Sequence, residues 1–106
     1  MGYAKERGKL EKLITRIAGL ETYDEKTFAN LNDSHDKYSH TIRILKNKDP
    51  ETFTEFYETE LQEIKQGKIA VKGSETDEAR QVNFMAYKET ILRALEKTIK
   101  TTHESL

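Results

Sequence analysis

Phe28-Ala29-Asn30-Leu31-Asn32-Asp33-Ser34-His35-Asp36-Lys37-Tyr38-Ser39-His40-Thr41-Ile42-Arg43-Ile44-Leu45 is the stretch that decides the fold. Within it Phe28, Leu31, His35, Tyr38, Ile42 and Leu45 recur at alternating spacings of three and four, the period of one helix face packed against others. Just upstream, Thr22-Tyr23-Asp24-Glu25 fits a capping box in which the Thr22 hydroxyl accepts from a first-turn amide and Glu25 reaches back. A second helix over about 23–47 follows.

The same period extends both ways. Leu10, Leu13, Ile14 and Ile17 make one stripe of a first helix over 3–18, with Gly19 placed to end it. Asp49-Pro50-Glu51 is the strongest helix start: Asp49 caps, and Pro50 sits at the first position, where its missing N–H costs nothing. Phe53, Phe56, Tyr57, Leu61 and Ile64 form the stripe of a third helix over 50–66, closed by Gly67. Lys68-Ile69-Ala70-Val71-Lys72 is the only alternating stretch and reads as loop. Ser74-Glu75-Thr76-Asp77 caps a fourth helix over 75–103, roughly 42 Å long at 1.5 Å per residue against ~25 Å for the first and third. Such a mismatch calls for a bend, or for an overhang covered by a second copy. The fold class is therefore all-α: one domain over 1–106, an antiparallel bundle of three to four helices with a long C-terminal helix.

Composition narrows the function classes. Of 106 residues 35% are apolar and 35% charged, 18 basic against 19 acidic, for a net charge of −1. Leu, Ile, Val and Phe suffice for a small core, and the near-neutral charge gives no self-repulsion. With no cysteine there is neither a disulfide scaffold nor a thiolate metal site. No apolar run approaches the ~20 residues needed to span a bilayer, and Met1-Gly2-Tyr3-Ala4-Lys5-Glu6 has no signal-peptide core and no myristoylation motif. The sequence reads as that of a cytoplasmic protein without a membrane segment.

Three ionisable residues fall where the pattern wants a hydrophobe: His35 on the second helix, Glu60 on the third and Lys88 on the fourth. They are the candidates for a buried polar layer in which Glu60 and Lys88 pair, with His35 beside them, to set helix register. The fourth helix carries apolar residues over about half its circumference, so Phe84, Met85, Tyr87 and Ile91 are the first candidate interaction surface. The second is an acidic face, Glu51, Glu55, Glu58 and Glu63. Residues 50–66 sum to −4 and residues 1–20 to +3, so the first and third helices are expected to be neighbours with complementary faces, unless the acid serves a basic partner.

Catalytic signatures are sparse. His35, His40 and His103 do not share helix-turn spacing, no Glu-x-x-His occurs, and no catalytic residue, metal ligand or cofactor motif is assigned. Glu55, Glu58, Glu60 and Glu63, followed by Glu75, Asp77 and Glu78, resemble single elements of the carboxylate set with which all-helical nucleotide pyrophosphatases hold magnesium, but at other spacings. Residues 27–47 resemble a degenerate helix-turn-helix, with Ser39, His40, Thr41 and Arg43 toward DNA, although the net charge lacks the basic surplus of a DNA binder. The expected function is non-catalytic: a small protein that binds another protein as adaptor, subunit or inhibitor and self-associates, most simply as a homodimer. A DNA-binding regulator and a small metal-dependent nucleotide hydrolase are the alternatives.

Overall fold

The computed structural model describes residues 2–104, and among them there are four helices and no strand. Helix α1 is Ala4–Ala18 and α2 is Glu25–Lys48. Pro50–Glu55, the π-helical turn Phe56–Glu60 and Leu61–Lys72 run on without a break as one 23-residue helix, α3. Helix α4 is Asp77–Glu104.

Helix starts are set by short side chains, two of them not the ones expected. At α2 the cap is Asp24 rather than Thr22: Asp24 Oδ1 accepts from the Thr27 amide at 2.8 Å, and the Asp24 amide donates back to Thr27 Oγ1 at 2.9 Å. Thr22 contributes its carbonyl, which accepts from the Thr27 hydroxyl. Helix α4 starts from Thr76 rather than Ser74, since Thr76 Oγ1 accepts from the Ala79 amide at 3.0 Å. Asp49 and Pro50 begin α3 as their residue types require, with Asp49 accepting from the Thr52 amide and hydroxyl.

Gly67 does not end α3. A Cβ there would stand 3.2 Å from Tyr87 Cδ1 and 3.3 Å from Tyr87 Cα, so the glycine is the point of closest approach of α3 to α4 and the helix passes through it. The stretch 68–72 is accordingly the last turns of α3, not a loop, and Val71 is core. With α2 at 24 residues and α3 at 23, the mismatch with the 28-residue α4 largely disappears.

Helix α1 packs on α2 and α4, and α3 packs on α4 and α2. The expected α1–α3 pairing is not formed; topology sets these two at opposite corners, joined only where Tyr3 meets Phe53 edge-on with ring centroids 5.5 Å apart. The core between the helices includes Leu10, Ile17, Leu31, Tyr38, Ile42, Leu45, Phe53, Ile64, Phe84, Tyr87, Ile91 and Leu95, all fully enclosed. At about 1.5–3 kcal/mol per large side chain, this apolar burial is the main force holding the bundle.

The π turn changes the phase of α3. Its i to i−5 bond, Leu61 N–H to Phe56 O, inserts one residue into the helical repeat. Before the turn and within it, Glu55, Thr59 and Glu60 face a groove toward α4. After it, Leu61, Gln62, Lys65, Lys68, Ile69 and Lys72 face a groove toward α2. One helix thereby carries acid to one flank and base to the other.

Candidate functional site

The three polar intruders are held at separate places. Glu60, at the end of the π turn, has a side chain only 10% exposed. Its Oε1 accepts from Lys97 Nζ at 2.7 Å, while Oε2 is enclosed without a partner. The hydrogen bond from Lys97 and the negative charge behind it hold the Lys97 ammonium above its ordinary pKa, with Glu55 and Glu63 adding to the effect.

Lys88 is buried as well, but on the other flank of α4. Gln81, Lys88, Leu95 and Thr102 form one heptad stripe. Its ends bind the α1 side: Gln81 bonds the Glu21 carbonyl and the Tyr23 amide, and Thr102 takes the Arg7 guanidinium. Asn83, Thr90 and Lys97 form the stripe toward α3, where Asn83 donates to the Ala70 carbonyl. Glu60 and Lys88 therefore do not meet. Among the described residues Lys88 makes no ion pair. Its ammonium is not among the enclosed unpartnered atoms, so its stem is covered while its tip keeps a window on water.

His35 meets neither of them. Its Nδ1 lies 3.1 Å from the Tyr87 hydroxyl, and that hydroxyl donates to Asn32 Oδ1 at 2.8 Å. Because the phenol proton is committed to Asn32, His35 Nδ1–H is the donor to Tyr87, and the neutral ring keeps an acceptor nitrogen, Nε2, for its open side. Burial lowers the His35 pKa, the positive charge of Lys68 lowers it further, and Asp36 opposes them. Burial raises the Tyr87 pKa.

Phe84, Tyr87 and Ile91 are fully enclosed by the chain's own helices, so the first candidate surface is interior; only Met85 of that group is partly exposed. The wide apolar face of α4 is used up by contact with α1, α2 and α3 together. Of the large hydrophobes only Ile69 and Val82 are exposed, at 51% and 67%.

Glu51, Glu55, Glu58 and Glu63 are exposed, as their acidic stripe implies. Part of their charge is met by α4 rather than α1: Glu55, Glu60 and Glu63 share a groove of about 280 Å³ with Arg93 and Lys97. Basic residues line two other grooves. Between α1 and α2, Lys9, Lys12, Arg16, Lys37 and His40 surround a hollow of about 390 Å³ floored by Leu13 and Thr41. Arg16 and Lys37 there share one carboxylate, Asp33, whose pKa they lower, and Lys9 and Lys12 are in no ion pair. Between α2 and α3, Lys65, Lys68 and Lys72 line a groove of about 530 Å³ with His35, Ser39 and Tyr57.

Helix α2 is continuous from Glu25 to Lys48, so 27–47 holds no turn and no helix-turn-helix. The weak formers Asn32, Asp33, Ser34 and Asp36 stay helical because tertiary contacts hold them: Ser34 is fully buried, Asn32 is bonded to Tyr87, and Asp33 to Arg16 and Lys37. Among the described residues no three His, Asp or Glu side chains converge in a way that would hold a metal ion. No helix among them is long and apolar enough to cross a membrane.

Several residues of this surface are not marked by pattern alone. Glu6 is buried on α1 and receives Lys48 Nζ at 3.1 Å, but its position lies outside the Leu10 stripe and gave no sign. Lys65, Lys68 and Lys72, at i, i+3 and i+7, carry a signal that a solvated helix face shares. The chain matches no protein-family profile, no curated protein and no solved structure.

Proposed function

We propose that the protein is a small, non-catalytic cytoplasmic protein that acts by binding another protein, as an adaptor, subunit or inhibitor, and that it does so through charged faces. The observation that carries this is the separation of α1 from α3. Their opposite charges have no chance to neutralise each other within the chain, and the α1–α2 groove sets four cations and His40 against the single carboxylate Asp33. A complementary acidic surface on a partner gains steering and register from such a groove. The same asymmetry offers a route to self-association, because the exposed Glu51 and Glu58 of a second copy are acids of the required sign.

The test is capture from the native host at low and high salt, with wild type beside the Lys9→Glu/Lys12→Glu double variant, and light-scattering mass measured in parallel. The proposal expects a partner, or a higher mass, that is lost both with salt and with the charge reversal while the melting temperature is unchanged. Capture that survives the reversal, or a monomer at all concentrations that captures nothing, refutes it.

A further inference from the structure

We infer that the α2–α3 groove is a binding site for a small oligophosphate-bearing anion, a function separate from the α1–α2 face proposed above.

The groove has the make-up of such a site. Three lysines, Lys65, Lys68 and Lys72, stand along one wall, and Ser39 and His35 come from the opposite helix. Tyr57, at the end near the π turn, already holds one cation over its ring, Lys46 Nζ at 4.2 Å from the centroid. Among the lining residues there is no Asp or Glu, in a chain with 19 of them. None of the three lysines is in an ion pair among the described residues.

A solvated lysine stripe is common on helices, but two features set this one apart. First, the lysines face α2 only because the π turn shifts the phase of α3; Glu55 and Glu63 of the same helix are turned to the α4 groove. The fold spends a helix irregularity on separating these charges, and such turns recur at functional sites. Second, the opposite wall is oriented. His35 is fixed by Tyr87, and Tyr87 by Asn32, which leaves Nε2 for the open side of the ring. Lys68 is close enough to depress the His35 titration.

The ligand class follows from spacing and size. Lys65 to Lys72 spans roughly 10 Å along the helix, which suits a chain of two or three phosphates better than one isolated phosphate. Ammonium groups bind phosphate oxygens as charge-assisted donors. A volume of about 530 Å³ is in the range of small-molecule sites. Leu61 and Ile69 add an apolar margin on which an uncharged part of the ligand can rest.

The test uses inorganic triphosphate as probe, titrated calorimetrically into the full chain at constant ionic strength, with sulfate as the control anion. The expected result is saturable binding, at least tenfold weaker for each lysine removed and lost in Lys65→Gln/Lys68→Gln/Lys72→Gln, with Lys9→Gln/Lys12→Gln unchanged. Proton NMR gives a second readout: bound triphosphate cancels the field of Lys68 and moves the His35 titration upward, while His40, in the other groove, stays put. A nucleoside triphosphate that binds tighter than triphosphate assigns a role to the apolar margin, and equal affinity assigns recognition to the phosphates; either result supports the site. Equal binding by sulfate, equal loss in the Lys9/Lys12 variant, no saturable binding, or a stronger response to an oligonucleotide than to triphosphate overturns it. None of these outcomes depends on a protein partner, so the site and the charged-face proposal fail separately.

Discussion

Gly67→Ala and Gly8→Ala make the same chemical change in two helices, and the structure gives them opposite signs. Replacing glycine by alanine inside a helix is worth about 0.8–1.0 kcal/mol in stability from backbone entropy alone. At Gly8 nothing lies within 4 Å of the new Cβ, so that gain is realised in full. At Gly67 the new atom meets Tyr87 Cα at 3.3 Å, and a backbone atom cannot rotate away. Helices α3 and α4 must separate by a few tenths of an ångström, and overpacking of this kind costs about 1–3 kcal/mol. The net expectation for Gly67→Ala is a loss of roughly 1 kcal/mol, about 4–8 °C in melting temperature for a domain of this size. The two variants should thus differ by about 2 kcal/mol in urea titrations with equal slopes. Tyr87 also bears the hydroxyl that orients His35 and Asn32, so the His35 NMR signals should shift in Gly67→Ala and stay fixed in Gly8→Ala. A Gly67→Ala protein as stabilised as Gly8→Ala would refute the close approach and restore the glycine as a plain helix stop.

Other perturbations probe the polar residues. Lys88→Met removes a buried ammonium stem that has no ion-pair partner, so it should leave urea stability unchanged or raise it by up to about 1 kcal/mol. Lys97→Met leaves the Glu60 carboxylate enclosed with no cationic partner and should destabilise by about 1–3 kcal/mol; the double change Glu60→Met/Lys97→Met should recover most of that in a denaturant double-mutant cycle. His35 binds its proton less readily in the folded chain than in the unfolded one. The unfolded state therefore takes up more protons below about pH 6.5, and stability should fall as pH drops through that window. His35→Gln should flatten that part of the pH–stability curve.

Legibility in the sequence tracked how local each cause is. Asp49-Pro50 and the Phe28 to Leu45 seam act within a few residues, and the helices they define stand where they indicate. The long α4 was legible because no breaker interrupts Asp77 to Glu104. Gly67 misled because the local signal of a glycine is a stop, whereas its use depends on Tyr87, 20 residues away in sequence and on another helix. Charge sums for residues 1–20 and 50–66 describe helices without saying which are adjacent, so they pointed to a contact the topology does not make. His35, Glu60 and Lys88 were visible as breaks in the apolar pattern. Their partners Tyr87 and Lys97 were not, because a one-residue phase shift in α3 and the choice of flank on α4 are decided by packing.

The π turn makes the surface of this protein sensitive to insertion and deletion in a way its core residues conceal. Removing one residue between Phe56 and Glu60 would restore a regular helix and turn everything after it by about 100°. No codon for lysine or glutamate would change, yet Lys65, Lys68 and Lys72 would leave the α2 side and Ile64 and Val71 would leave the core. The count of residues in that single turn is thus as strict a specification as the identity of any side chain in it, and a lineage could acquire or lose the cationic groove by one in-frame event.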